Sequence, residues 1–218
     1  MNTDVVIVGA GPAGIFTALE MIKKGSRQKI IMVEKGQSVE NRHCPKDKTH
    51  KCMNCKPYCH ITTGFSGAGA FSDGKYVIST EYGGWLTDCL PPETVIDYIE
   101  QADKILVKFG ATTERFMPNN ELKLECLKHD LHMAQAQLKH LGTDSNFDTM
   151  RKLINDLKTR CDIIADTEVT GVDKDTRIVT MVNNGKEYHT EAKYIIFAVG
   201  RFGSRFFSKW CQEHDIEL

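Results

Sequence analysis

No apolar run in these 218 residues approaches the roughly 20 needed to cross a bilayer. Residues 1–9 also lack the basic, then apolar, pattern of a secretion signal. Charge of one sign is missing as well. Lys and Arg number 28 against 29 Asp and Glu, a net charge of -1, so no single-signed field marks a nucleic-acid or membrane surface. There is no internal repeat and no low-complexity linker. No Ser/His/Asp triad and no pair of catalytic carboxylates can be assembled with any specificity, so the catalytic residues stay unassigned. What these absences leave is a globular chain, expected in the cytoplasm, whose partner is a small-molecule substrate or a redox partner. Its length allows one good core with room for an inserted lobe.

What is present begins at once. Val5, Val6, Ile7 and Val8 are a β-branched run short enough for a buried parallel strand, and Gly9-Ala10-Gly11-Pro12-Ala13-Gly14 follows without a spacer. Ile15, Phe16, Ala18, Leu19 and Ile22 then recur at helical spacing, and Gly25 supplies a stop. Ile30 to Val33 reads as a second strand ending in Glu34. In G-x-G-x-x-G between a strand and a helix, the first glycine permits the tight turn and the second lets backbone approach a pyrophosphate. The third lets helix and strand pack closely. The phosphates would sit at the helix N-terminus. Glu34 is placed to accept from ribose hydroxyls, and its charge would repel a 2′-phosphate, which favours FAD or NAD over NADP. The fold expected is α/β and Rossmann-like, with a parallel sheet, a three-stranded β-meander and a helical insertion.

Further along, Cys161–Lys174 reads as a strand entering the meander, and Asn184-Gly185 is a hairpin turn between 177–182 and 186–190. A last apolar strand, Tyr194 to Val199, ends at Gly200. This succession resembles the two-dinucleotide-binding-domain flavoproteins, whose last strand carries an Ala-Thr-Gly-like motif; here it is Ala198-Val199-Gly200. The resemblance implies FAD, with Val169 beside the adenine and Ala198, Val199 and Gly200 close to the cofactor.

A glycine-rich stretch, Gly64-Phe65-Ser66-Gly67-Ala68-Gly69-Ala70-Phe71-Ser72-Asp73-Gly74-Lys75, stands with Glu81-Tyr82-Gly83-Gly84-Trp85 and His140-Leu141-Gly142-Thr143-Asp144. Together they resemble a poorly characterised microbial group of NAD(P)/FAD-dependent oxidoreductases, over most of the chain. That resemblance lays Ser66, Gly67, Ala68, Gly69, Ala70, Phe71, Ser72 and Asp73 along the pyrophosphate and flavin, adds Lys35 and Arg42 to the cofactor contacts, and allows NAD(P)H as electron donor. Flavoproteins of this type carry a later strand ending in Gly-Asp. None follows Gly200, so the expectation is that a C-terminal half or a partner subunit completes the flavin site.

Residues 1–90 and 143–218 are expected to form the FAD-binding domain, and 91–142 a helical insertion. Within the insertion Pro92–Phe109 reads as a helix with Val95, Ile96, Ile99, Ala102, Ile105, Leu106 and Phe109 on one face. Residues 121–141 read either as a helix or as a helix passing into a short strand. Thr143 or Asp144 should cap a helix carrying Phe147, Met150, Leu153, Ile154 and Leu157. The last 18 residues read as the start of a connection.

Cys44, Cys52, Cys55 and Cys59 crowd together, with His43, His50 and His60 nearby and Lys46, Lys48, Lys51 and Lys56 between them. Such a set suits zinc or an iron–sulfur cluster, a redox dithiol working with the flavin, or unligated surface thiols. Cys89, Cys126, Cys161 and Cys211 are scattered and read as packing residues. His140 reads as structural or, within the segment that carries the resemblance, as facing substrate. The function expected is an FAD-dependent oxidoreductase of unread substrate. The alternative is an electron-transfer or cofactor-binding subunit with a metal site at the cysteines.

Overall fold

The computed structural model describes residues 2–81, 83–117, 119–134 and 136–218. Tyr82, within the Glu81–Trp85 segment, lies outside them. The chain divides into two compact units, 1–70 with 151–218, and 71–150. The first unit opens with β1 (Asn2–Val8), α1 (Pro12–Lys23), β2 (Ile30–Val33) and the one-turn α2 (Lys46–Thr49). Val5, Val6, Ile7 and all of β2 are buried, as unbroken apolar runs must be in strands covered on both faces. Pro12 suits the first turn of α1, where its missing N–H costs nothing. Gly25, at φ +75°, closes the helix by donating its N–H to Ile22 O.

The second unit holds β3 (Lys75–Ile78), α3 (Pro92–Lys108), α4 (Asn120–Lys128) and β4 (Gln137–His140). The division falls after Ala70 and Met150 rather than at 90/91 and 142/143 because β3 pairs antiparallel with β4, not with the large sheet. Residues 121–141 resolve as a helix followed by a strand; Asn119 caps the helix, its Oδ1 accepting from Leu122 N. Helix α5 (Thr143–Lys158) starts in this unit and ends in the first, where Leu153, Ile154 and Leu157 are fully buried.

The chain continues in the first unit as β5 (Asp162–Ile164), β6 (Thr167–Val172), β7 (Ile178–Asn183), β8 (Lys186–Phe197) and α6 (Gly200–Glu213). The six-stranded sheet runs β5-β2-β1-β8-β7-β6. Its first four strands are parallel and the last three an antiparallel meander, β8 belonging to both. Cys161–Lys174 is therefore two strands, divided where Asp166 turns at φ +50°. Conversely, 186–190 and 194–197 are one strand, because Glu191-Ala192-Lys193 contains no residue that breaks β structure. Residues 201–213, expected as the start of a connection, lie in α6. Phe206 and Trp210 pack this helix on the sheet core of Val33, Val169, Val172 and Val179, and Trp210 Nε1 donates to Val172 O at 2.6 Å. Among the described residues no helix is long and apolar enough to cross a membrane.

The second unit is centred on charge. Lys139 and Asp103 are 1% and 4% exposed, and the Lys139 ammonium sits 2.7 Å from Asp103 Oδ1. Tyr76 donates to the same carboxylate at 2.7 Å, and Arg115 bridges it to Glu100. Of the apolar stripe on α3, only Val95 is fully buried. Removing one partner strands the other's charge out of water. Asp103→Ala should therefore lower stability by about 3–5 kcal/mol in denaturant titration, and Lys139→Met in that background should recover much of the loss.

Candidate dinucleotide site

The site grows from the end of β1. Gly9 turns at φ +107°, and its N–H donates to Val33 O, while Ala198 N donates to Val8 O, so three parallel strands end together. The three fingerprint glycines then have different tasks. A Cβ on Gly9 would lie 2.4 Å from Ala198 O, and one on Gly14 2.1 Å from Gly9 O. Both are demanded by the chain's own backbone. A Cβ on Gly11 would meet no described atom within 4 Å. Gly11 is the N-cap of α1 and supplies no side-chain cap, which leaves first-turn N–H groups available to an anion.

Glu34 is buried, with Oε2 accepting from Ala10 N at 2.9 Å and Oε1 from Gly36 N at 2.8 Å. It ties the glycine turn to the end of β2 and still borders the cavity beside it. That cavity, about 900 Å³, is bounded by Gly9, Gly11 and Pro12, by Thr62 to Gly64 with Gly67 and Ala68, and by Ala198 to Phe202 with Ser204 and Arg205. A smaller cavity of about 110 Å³ adjoins it at Gly9, Glu34 and Val199, and is lined also by Lys35, Thr63 and Val169.

Arg42 does not line either cavity. It is buried beneath the loop, donating to His60 O at 2.9 Å, Ile61 O at 2.6 Å, Gly67 O at 2.8 Å and Phe65 O. Burial lowers its pKa to about 10, against the opposing pull of the Glu34 and Cys59 charges, so it stays cationic at neutral pH. The loop it holds closes on the glycine turn through Ser66 N, which donates to Ala10 O at 2.8 Å. Two buried hydroxyls of that loop, Thr63 Oγ1 and Ser66 Oγ, find no hydrogen-bond partner among the described residues.

Of the other expected contacts, Ala13 is exposed on α1, and Gly69 and Ala70 lie in the turn Ala68–Phe71, with Ala70 buried. Phe71, Ser72 and Asp73 belong to the second unit. There Phe71 packs on Phe147, Ser72 O accepts from Asn146, and Asp73 faces Lys75 and His140. Thr62, Thr63, Arg201, Phe202, Ser204 and Arg205 are cavity residues that the sequence pattern did not single out. The repeat of arginine one helical turn apart after Gly200 was the available signal.

Cys44, Cys52, Cys55 and Cys59 border one cavity of about 270 Å³, and all four are free thiols. Their chemistry suits a soft metal, but their placement does not. Among the described residues, no three His, Cys, Asp or Glu groups stand together to hold an ion. The order expected from a metal is supplied at the C-terminal end of this loop by Arg42 and by Tyr58 OH, which donates to Asp166 at 3.4 Å. The four thiols, so placed, do not fit zinc or an iron–sulfur cluster.

Residues 3–209 match the family described as pyridine nucleotide-disulphide oxidoreductase. An uncharacterised protein of Clostridium beijerinckii is 28% identical over 196 residues, which cover 89% of this chain and 30% of that protein. Glycine oxidase from Geobacillus kaustophilus superposes with a TM-score of 0.53 at 15% identity, over 100% of this chain and 59% of the enzyme. The quinol fumarate reductase FrdA of E. coli does so at 0.54 and 14% identity, over 92% and 33%. The chain thus spans under a third of the curated relative, and the two structures share its fold.

The glycine geometry separates folding from binding. Gly14→Ala should cost about 1–3 kcal/mol, since backbone must move to admit the methyl, whereas Gly11→Ala should unfold at the same denaturant midpoint as the parent. Thiol chemistry gives a second check. N–H groups of Ile61 and Thr62 hold the Cys59 pKa below its ordinary value, while burial pushes Cys161 up to about 11. A lower pKa means more thiolate at neutral pH. Iodoacetamide at pH 7 should label Cys59 well before Cys161, as read by peptide mass spectrometry.

Proposed function

The chain belongs to the pyridine nucleotide-disulphide oxidoreductase family, and from that premise we propose that it holds FAD in the 900 Å³ cavity and serves a flavin-dependent oxidoreductase. The observation that carries this is Gly11. It is the one fingerprint glycine whose missing side chain answers to nothing among the described residues, on the wall of a cavity that also holds Glu34 and Ala198 to Gly200, where β8 passes into α6.

The residues fit the dinucleotide. Gly11 admits a phosphate to the first-turn N–H groups of α1, where the helix dipole favours negative charge. Each Glu34 oxygen is used once by backbone and retains acceptor capacity for a ribose hydroxyl. Val169 offers the adenine an apolar wall in the adjoining cavity. Thr63 Oγ1 is a buried hydroxyl without a partner on the same wall, a position a ligand oxygen would satisfy. FAD, when bound, supplies hydride or electron-pair chemistry, and the protein's part is binding, orientation and electrostatics. The electron donor in this reading is a reduced nicotinamide nucleotide.

Chain supplemented with FAD and desalted should keep the visible flavin absorption. Thr63→Val should weaken retention by about 0.5–1.5 kcal/mol, the net worth of one hydrogen bond. Recovery of NAD and no flavin after supplementation would overturn the reading.

A further inference from the structure

Helix α6 supplies a stretch of cavity wall to which the flavin function gives no role. Arg201 and Arg205 stand one helical turn apart, on one face, and both border the cavity together with Phe202 and Ser204. Neither guanidinium has an acidic partner among the described residues. The cavity's own carboxylate, Glu34, is already engaged by Ala10 N and Gly36 N. The helix carrying the two arginines is anchored rather than loose. Trp210 Nε1 bonds to Val172 O, and the Phe197 ring lies 4.9 Å from Phe207 and 4.8 Å from Trp210, centroid to centroid. Two cations on an anchored helix, with no acidic partner among the described residues, therefore share a cavity with the Thr63 hydroxyl, unpartnered among those residues, and the open backbone at Gly11.

We propose that Arg201 and Arg205 are a diphosphate clamp, gripping the pyrophosphate of the dinucleotide from α6 while Gly11 and the α1 N-terminus take it from the glycine turn. The planar fork of guanidinium suits this task, since it meets phosphate oxygens through two parallel N–H bonds. One cation per phosphate matches a diphosphate rather than a single carboxylate. The assignment of the diphosphate to FAD rests on the proposed flavin function; the clamp itself is defined by the anion.

The test is calorimetric titration of the 218-residue chain with ADP and with adenosine, for the parent, Arg201→Gln, Arg205→Gln and the double variant. Both positions are exposed, and unchanged circular dichroism and melting temperature will confirm the fold. Each single change should lower ADP affinity about tenfold, the size of one charge-assisted hydrogen bond, and leave adenosine binding unaltered. The double variant should also flatten the salt dependence of ADP binding. Arg205→Lys should keep part of the affinity.

Equal losses for adenosine and ADP would show that the arginines only pack, and no loss would show that they face solvent; either overturns the clamp. If ADP binds through the arginines but FAD is not retained, the flavin function falls and the clamp stands. Normal FAD retention by the double variant overturns the clamp and leaves that function intact. ADP binding to FAD-loaded protein that still needs both arginines would place them on a second nucleotide and overturn the assignment to the dinucleotide's own diphosphate. A parent chain that binds neither ADP nor FAD overturns both proposals.

Discussion

One buried guanidinium holds the site in shape. Arg42 gives its donors to the carbonyls of His60, Ile61, Phe65 and Gly67, which gathers one loop around a single cation. Burying such a charge is costly unless its donors are satisfied, and four backbone carbonyls accept from it here. The loop can then close on the glycine turn through Ser66 N and Ala10 O, and on the segment that follows β2 through Phe65 N and Gln37 O. Even the close approach of Gly36 to Gly64, where a Cβ would come within 2.5 Å of backbone, depends on this loop being held down. Glu34 performs the mirror task from the other side, its acceptors taken by Ala10 N and Gly36 N. The cavity wall is thus set by two charges that bond to backbone, each leaving some capacity or some field toward the space between.

The opening βαβ unit was legible in the sequence because each of its signals is local. A β-branched run, three glycines at fixed spacing, a helical stripe and a terminal acid all fall within residues 5–34, and the hairpin at Asn184-Gly185 is equally local. The sequence left open what depends on distant partners. No local pattern announces the pairing of Asp103, on α3, with Lys139, which β4 brings against it. Arg42 reads as a cofactor ligand until the loop 60–67 is seen to wrap it. The joining of 186–190 to 194–197 was obscured by an expectation of separate strands, although nothing between them breaks the chain's β course.

The glycine fingerprint shows the difference between a motif and its physics. As a motif, Gly9, Gly11 and Gly14 are counted together toward one ligand, although their tasks differ. In the structure, Gly9 and Gly14 are required by steric contacts within the protein, so they would be needed by a strand–turn–helix that bound nothing. Only Gly11 carries information about a ligand, and its weight comes from the empty space beside it and from the α1 N-terminus it caps. A binding argument is stronger resting on that one position than on the match of all three.

The three cavities, too, have one lining residue common to all of them. Phe202 borders the large cavity, its small neighbour and the thiol-lined one. It is held from one side by the Lys35 ammonium, 5.0 Å from its ring centre, and Lys35 in turn pairs with Glu168 at 2.6 Å. The exposed half of that pair is worth little by itself, so the position of Phe202 is governed mainly by the packing of α6 through Phe206 and Trp210 on the sheet core. Any ligand that draws on Arg201 and Arg205 pulls on the same helix turn that carries Phe202. Phe202 is thus the one residue, among the described residues, that lines both the thiol cavity and the large one.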